Sequence, residues 1–340
     1  LFTVDEETGL GGALNLDASM LSGTVMLNLD TEDWNELYIG CAGGAGWHFS
    51  RSFSQDSVSA EAEGWQLTLR GLAGGHSGVQ IHEQLGNAVK VMGECLRGVD
   101  GLRLAHIDVG VAHNVIPREG TLSFVCEAGA GAVLEQRLQS LRDEWVAYLP
   151  PADAGLELEL SRSPIDTALD EIDSLRLLDL IAAFPHGAQA YSLAQPADLV
   201  DLSINLAILR LQQGELFIES SYRFFNEQQS VPLQNSVMAL ARAFDLEVAP
   251  DVGYPGWQPN FDSPLLDKGS DLHERMFGHR PAIKAIHAGL ECGILKSKKP
   301  DVDILSFGPT IRGAHSPTER LQIDTVAPFW QFLKALLAEI

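Results

Sequence analysis

Carboxylates and imidazoles stand along this sequence at several positions where hydrolytic chemistry is conceivable. Glu6-Glu7 is the first, two adjacent acids ahead of Gly9. Neighbouring side chains on an extended backbone point to opposite sides. One of the pair could then bind a cation while the other faces a reacting water; a solvated surface pair is the plainer alternative. Asp30 closes the apolar run Val25-Met26-Leu27-Asn28-Leu29. A carboxylate there sits at the C-terminal edge of a sheet, where open α/β enzymes place their ligands, although Asp also serves simply as a turn residue. His315, in Gly313-Ala314-His315-Ser316-Pro317, follows a strand that ends at Phe307. Imidazole is a common ligand for zinc-like ions, but a lone loop histidine often has no such task.

His76 lies in Gly74-Gly75-His76-Ser77-Gly78, where glycines let backbone approach a ligand and leave the ring accessible. Arg223 shares one strand face with Phe217, Glu219 and Ser221. A guanidinium there can clamp a carboxylate in a bidentate way, or simply be an exposed strand arginine. His106-Ile107-Asp108 mimics a metal-ligand pattern, yet it falls within an ordinary strand just ahead of Asn114-Val115-Ile116-Pro117-Arg118-Glu119.

Three segments must position these groups. Residues 1–54 and 253–340 read as two parts of one α/β domain with buried strands such as Val25–Asp30 and Asp303–Phe307. Its closing helix carries Phe329, Leu333, Leu336 and Ile340 on one face, with Asp324 as the expected N-cap. Between them, residues 55–252 alternate half-buried strands with amphipathic helices. Trp65, Leu67 and Leu69 form one strand face, and Leu134, Leu138, Leu141 and Trp145 follow helical spacing. The order βαββαβ is a ferredoxin-like sandwich, and a second, looser pass follows through Ile172–Ala183, Leu202–Leu211, Leu216–Phe224 and Leu233–Phe244. The fold class is therefore α/β: an α/β/α domain interrupted by a doubled α+β insert.

Composition removes some partners. The formal charge is −23 and no Lys/Arg stripe exists, which excludes a phosphate-binding nucleic-acid surface. No run of 18 apolar residues predicts a membrane helix. Four scattered cysteines (Cys41, Cys95, Cys126, Cys292) without C-x-x-C spacing fit a reducing, cytoplasmic setting rather than a disulfide framework.

Taken in order, the motifs resemble the aminoacyl-histidine dipeptidases (the peptidase D family), within the zinc metallopeptidases that also include carnosinase-like dipeptidases and aminoacylases. The resemblance runs from Glu6-Glu7-Thr8-Gly9 and Asn28-Leu29-Asp30 through Gly40-Cys41-Ala42-Gly43-Gly44, Gly74–Gly78 and Asn114–Glu119. It continues at Tyr254-Pro255-Gly256-Trp257-Gln258-Pro259, Ile286–Gly293, Gly308-Pro309-Thr310 and His315-Ser316-Pro317. It implies a catalytic α/β/α domain holding two divalent ions (Zn2+, with Mn2+ or Co2+ as alternatives) beneath an inserted lid. It implies that a metal-bridging water attacks the peptide carbonyl, with Glu6 as general base, Glu7 and His315 on one metal, and Asp30 on the other. The His76 counterpart comes from the lid, often a partner subunit's, and supports the oxyanion. Asn114, Arg223, His287 and Glu291 are candidates for holding the ends of a dipeptide, and the lid leaves room for a homodimer.

The family's H-x-D motif and bridging Asp precede the Glu-Glu pair, and neither stands before Glu6 here. Leu1-Phe2-Thr3-Val4 also reads as a buried strand already under way. The expectation is an N-terminally truncated chain that alone binds metal weakly and turns over little substrate. Two other readings are an N-acyl amino acid amidohydrolase, which would need an apolar acyl pocket, and a non-catalytic association scaffold.

Overall fold

The alternation of Trp65, Leu67 and Leu69 with polar neighbours becomes one strand of a nine-stranded antiparallel sheet, and the three apolar side chains enter its core. The computed structural model describes residues 1–6, 10–59, 61–193, 199–314 and 318–340.

Two sheets organise the chain. The smaller contains β1 (Val25–Asn28), β2 (Glu36–Cys41), β12 (Ala282–Ile286) and β13 (Asp303–Ser306) in the order β1-β13-β2-β12. The larger is built from β3 (Gly43–Ser52), β4 (Glu63–Arg70), β5 (Arg103–Val109), β6 (Gly120–Cys126), β7 (Glu157–Arg162), β9 (Val200–Gln212), β10 (Glu215–Phe224) and β11 (Glu247–Pro250). Its order is β7-β4-β6-β5-β9-β10-β3-β11, and β8 (Gly187–Tyr191) pairs with β9.

The doubled pattern is visible in that order. One half reads β4-α1-β5-β6-α2-β7, with α1 Ala88–Leu96 and α2 Gly131–Tyr148. The other reads β3-α3-β9-β10-α4-β11, with α3 Glu171–Ala183 and α4 Glu227–Ala243. In both halves the fourth strand lies beside the first, followed by the third and then the second. The first half is nested inside the second, and the two join where Ile107, Asp108 and Val109 of β5 pair with Leu211, Arg210 and Leu209 of β9. β3 belongs to this sheet, so the sheet begins at Gly43, ahead of the 54/55 boundary read from the sequence. Pattern alone misses this because β3 is rich in glycine and has no clean alternation.

The chain crosses between the sheets at two adjacent points, Ala42 on the way out and Tyr254–Trp257 on the return. Cys41 pairs with Trp257 and Gly44 with Tyr254 as isolated bridges. The smaller sheet packs Leu37, Ile39, Ile304, Leu305 and Phe307 against α5 (Pro264–Phe277) and α7 (Ile323–Glu339). Phe332 and Leu336 of α7 are fully buried there.

Three local expectations fail. Leu1–Val4 is not a buried strand: it is irregular, and Phe2 is fully exposed. β1 is half-exposed at the sheet margin rather than covered on both faces. Asp324 lies inside the first turn of α7, whose N-cap is Gln322 and has no side-chain capping bond.

Candidate active site

The chain following β1 and the chain following β13 run together. Phe307 donates to the Asn28 carbonyl (3.1 Å) and Ile311 to the Glu32 carbonyl (3.0 Å). Gly308 makes the contact feasible, since a Cβ there would fall 1.8 Å from the Thr31 carbonyl oxygen. Thr310 fastens the pair: its hydroxyl accepts from Trp34 N (3.1 Å), and its N–H donates to Thr325 Oγ1 (2.9 Å). Asp30 and Ala314 thereby line the same cleft, whose volume is about 1120 Å³.

Glu6 reaches that cleft from another direction. The chain around it is held by Leu10 N donating to Glu6 O (3.0 Å), and Thr3 Oγ1 donates to Glu291 Oε2 (2.6 Å). The short helix Gly11–Asn15 packs beside α6 (Glu291–Lys298), where Lys298 Nζ donates to the carbonyls of Leu14 (2.8 Å) and Leu16 (2.7 Å).

Connections between strands of the larger sheet supply another wall. His76 pairs with Val115 in a two-residue ladder. Its Nδ1 accepts from the N–H groups of Gly78 (3.2 Å) and Val79 (3.1 Å), so the ring proton of the neutral imidazole sits on Nε2. The loop bearing His76 is anchored by Asp153, which is fully buried and accepts from Ala73 N (2.7 Å) and Gly86 N (2.7 Å). Asn114 lies on a second loop, pinned where Asn205 Nδ2 donates to the carbonyls of His113 (3.1 Å) and Val115 (2.9 Å). His287, just past β12, closes the wall; Ser203 Oγ of β9 lies 2.7 Å from its Nε2.

Burial, and then the nearby Arg223 guanidinium, pushes the His287 ring down to about 3, so it is neutral at pH 7. Burial also pushes the thiols up, Cys41 to about 11 and Cys292 well above its ordinary value, with Asp30 among the negative groups acting on Cys292. Both thiols are therefore protonated at neutral pH.

The cleft thus assembles Glu6, Asp30, His76, Asn114 and His287 from five separate stretches of chain. A model of the family described as "Peptidase family M20/M25/M40" matches residues 1–339. The chain belongs to this peptidase family. The cytosol non-specific dipeptidase of Escherichia coli (strain K12) is 33% identical over 345 residues, which span 100% of this chain and 71% of that protein. The crystal structure of aminoacylhistidine dipeptidase from Vibrio alginolyticus superposes with a TM-score of 0.91 at 33% identity, covering 99% of this chain and 70% of that one. This chain accordingly carries the M20 peptidase fold, and the enzyme class is a peptide hydrolase.

M20 peptidases use divalent metal, and the donor set on this wall suits such an ion. Asp30 brings a carboxylate to the cleft that Glu6 also lines, the hard oxygen donor such an ion takes. Glu7 and His315, the other two expected ligands, lie outside the described residues. Among the described residues, the cluster with ligand-like spacing is instead His48, Glu219 and Asp251, with one donor atom of each within 4.8 Å of the others. It lies on the larger sheet, where the imidazole faces Glu219 and Asp251 at 3.6 Å each.

Two expected substrate residues are not on the cleft wall of this peptidase. Glu291 accepts from Thr3, so its carboxylate secures the segment leading to Glu6. Arg223 is buried one layer behind, its Nη1 donating to Tyr254 Oη (2.9 Å) and its Nε lying 3.0 Å from where a Gly78 Cβ would be. Sequence reading also missed Ser203, Asn205 and Asp153. The first two had a visible signal, as polar residues inside the otherwise apolar run Leu202–Leu209. Asp153 had none, because its two backbone partners lie 67 and 80 residues away.

Proposed function

We propose that this M20 peptidase is a cytoplasmic metallo-dipeptidase that cleaves X-His and other dipeptides. The convergence of Glu6 and Asp30 with His76, Asn114 and His287 on one cleft carries the reading, and the names of the two relatives supply the substrate class. In this reading Glu7, Asp30 and His315 hold two divalent ions, Zn2+ foremost, with Mn2+ or Co2+ as alternatives. When bound, the ions would acidify water and neutralise negative charge developing on the peptide carbonyl.

The chain's own groups do the rest. Glu6 takes a proton from the attacking water on its carboxylate and returns it to the departing amine, a role worth about 10²–10⁴-fold. His76 carries its ring proton on Nε2, because Nδ1 accepts from Gly78 and Val79, and turns that N–H to the developing oxyanion. Asn114 and His287 hold the far end of the substrate, with the Arg223 charge behind them. The larger sheet acts as a lid and offers a surface for a homodimer.

The discriminating assay, run on the protein as the cell makes it, compares L-alanyl-L-histidine, a tripeptide and N-acetyl-L-histidine in the presence of Zn2+ or Mn2+. Release of histidine from the dipeptide fastest, abolished by a chelator, is the expected result. Preferred cleavage of N-acetyl-histidine would replace this reading with the amidohydrolase one.

A further inference from the structure

A serine at position 203 is out of place by polarity alone. It sits in β9 between Leu202 and Ile204 and is 1% exposed. A buried hydroxyl must find a partner. It finds one in the other sheet's territory: His287 Nε2, 2.7 Å away and 84 residues further along the chain.

His287 is itself buried and lines the cleft, and its Nδ1 makes no well-formed hydrogen bond, although the Val200 carbonyl acts on the ring as an acceptor. An unmet buried polar atom costs about 1–3 kcal/mol. On a cleft wall, such an atom is available to a ligand.

The direction of the Ser203–His287 bond follows from the neighbouring charge. Ser203 stands directly across the ladder from Arg223. Side chains so placed have Cβ atoms about 4.5–5.5 Å apart. The guanidinium favours the hydroxyl oxygen turned towards it and the hydroxyl proton turned away, onto Nε2. The same cation, after burial, keeps the ring from taking a second proton. The Val200 carbonyl, also on the cleft wall, favours a proton on the ring.

We infer that Ser203 is a positioning residue: its hydroxyl donates to His287 Nε2, fixes the imidazole as the Nδ1–H tautomer, and so makes it a neutral N–H donor to the carboxylate end of a dipeptide. This rests on the dipeptidase reading, and it deepens it. An imidazolium would bind any anion, whereas a neutral N–H held in one tautomer selects an acceptor in a fixed place. A free carboxylate satisfies it. A C-terminal amide satisfies it less well, because its carbonyl oxygen is a neutral and weaker acceptor and its NH2 presents hydrogens of its own.

The test uses a reduced-bond isostere of alanyl-histidine, which cannot be hydrolysed, and its C-terminal amide, each titrated calorimetrically into the chain. Ser203→Ala is expected to weaken binding of the free acid about tenfold, the scale of one hydrogen bond to a charged acceptor, and to weaken the amide by clearly less. Ser203→Thr, which keeps the hydroxyl, is expected to restore free-acid binding to within about threefold of wild type, about half of that one-bond scale in free energy. Equal losses for acid and amide would mean a merely structural role and overturn the inference. Unchanged binding in Ser203→Ala alongside a loss in His287→Gln would overturn the role of Ser203 alone. Unchanged binding in both would show that the carboxylate is held elsewhere, and the underlying placement of the substrate would fall with it. Nitrogen NMR of the wild-type chain gives a check independent of any variant's folding: His287 should show a protonated Nδ1 and a bare Nε2, and the reverse would overturn the assignment.

Discussion

Gly78 lies so close to His287 that a Cβ on the glycine would fall 2.3 Å from the histidine's carbonyl oxygen. The loop of the larger sheet and the end of β12 are therefore in backbone contact, with no room for a side chain between them. Gly78 also donates its N–H to His76 Nδ1, so the same residue sets the imidazole and the closeness of the walls. Gly78→Ala has to separate the walls or tilt His76. The expected outcome is a fall in kcat/KM of at least tenfold with a folded, cooperative melt, read by steady-state kinetics beside circular dichroism. Activity near wild type would show that the two walls are not this close in solution.

Asp153 predicts a different kind of loss. It supports His76 from outside the cleft by accepting from both ends of the 73–86 loop. Hydrogen bonds to a charged acceptor contribute about 1.5–3 kcal/mol each, and removing it leaves two amides to find other partners. Asp153→Ala should cost about 2–4 kcal/mol of stability and lower kcat more than it raises KM. Urea denaturation gives the first figure and kinetics the second. An unchanged denaturation midpoint would remove Asp153 from the account.

Histidines held neutral by burial, His186, His273 and His287, contribute to the acid side of the stability profile. His287 is pushed down to about 3 by burial and then Arg223, and His186 to about 4 by burial and then Lys90. The His186 ring also accepts, at Nδ1, from Leu206 N at 3.4 Å and lies 3.2 Å from Asn87 Nδ2. An unfolded histidine titrates near 6.5. Below that pH the unfolded chain binds protons that the folded chain refuses, so stability falls as pH drops from about 6.5 towards 4 and 3. Above it these two groups add no pH dependence. His186→Gln should flatten the melting profile between pH 6 and 4 relative to wild type, by at most about 1.4 kcal/mol per pH unit. An identical slope in the variant would show that the ring is not held neutral.

The sequence carried most of the architecture because the larger sheet shows its faces as period-two alternation. β4, β6 and β10 put alternate residues into one core, and Gln213-Gly214 marks the β9–β10 turn with both residues at positive φ. β3 hides from the same logic, since Gly43, Gly44 and Gly46 are chosen for close approach by Tyr254 and Asp251 rather than for burial. The site was legible where motif residues line the cleft themselves, as with Asp30, His76 and Asn114. It was not legible for the tie between Glu291 Oε2 and Thr3, 288 residues away in the chain. Nor could it reveal Ser203 as the partner of His287, because tertiary hydrogen bonds leave no spacing to read.

Lys90 is a purely structural prediction against which the others can be gauged. It extends from α1 and donates its ammonium hydrogens to the carbonyls of Ile181 (2.6 Å), Ala182 (3.0 Å) and Phe184, at the end of α3. Those carbonyls lack helical partners, and a cation there also meets the negative end of the helix dipole. Lys90→Met keeps the apolar stem and removes the charge. The variant should lose about 1–3 kcal/mol in urea denaturation while the surviving folded fraction keeps wild-type KM. A shift in KM would mean that α3 reports to the cleft.

Glu6 and Asp30 should separate by what they lose. A group that moves protons lowers kcat without changing the occupancy of the metal, whereas a ligand changes the occupancy itself. Glu6→Gln is expected to reduce kcat by about 10²–10⁴-fold with Zn2+ binding within a few-fold of wild type. Asp30→Asn should weaken Zn2+ binding by at least tenfold, with activity partly recovered at high Zn2+. Isothermal titration with Zn2+ and activity measured across a metal series distinguish the two. Glu6→Gln abolishing metal binding while Asp30→Asn leaves it intact would reverse the two assignments and require the proton-transfer group to be sought elsewhere on the cleft wall.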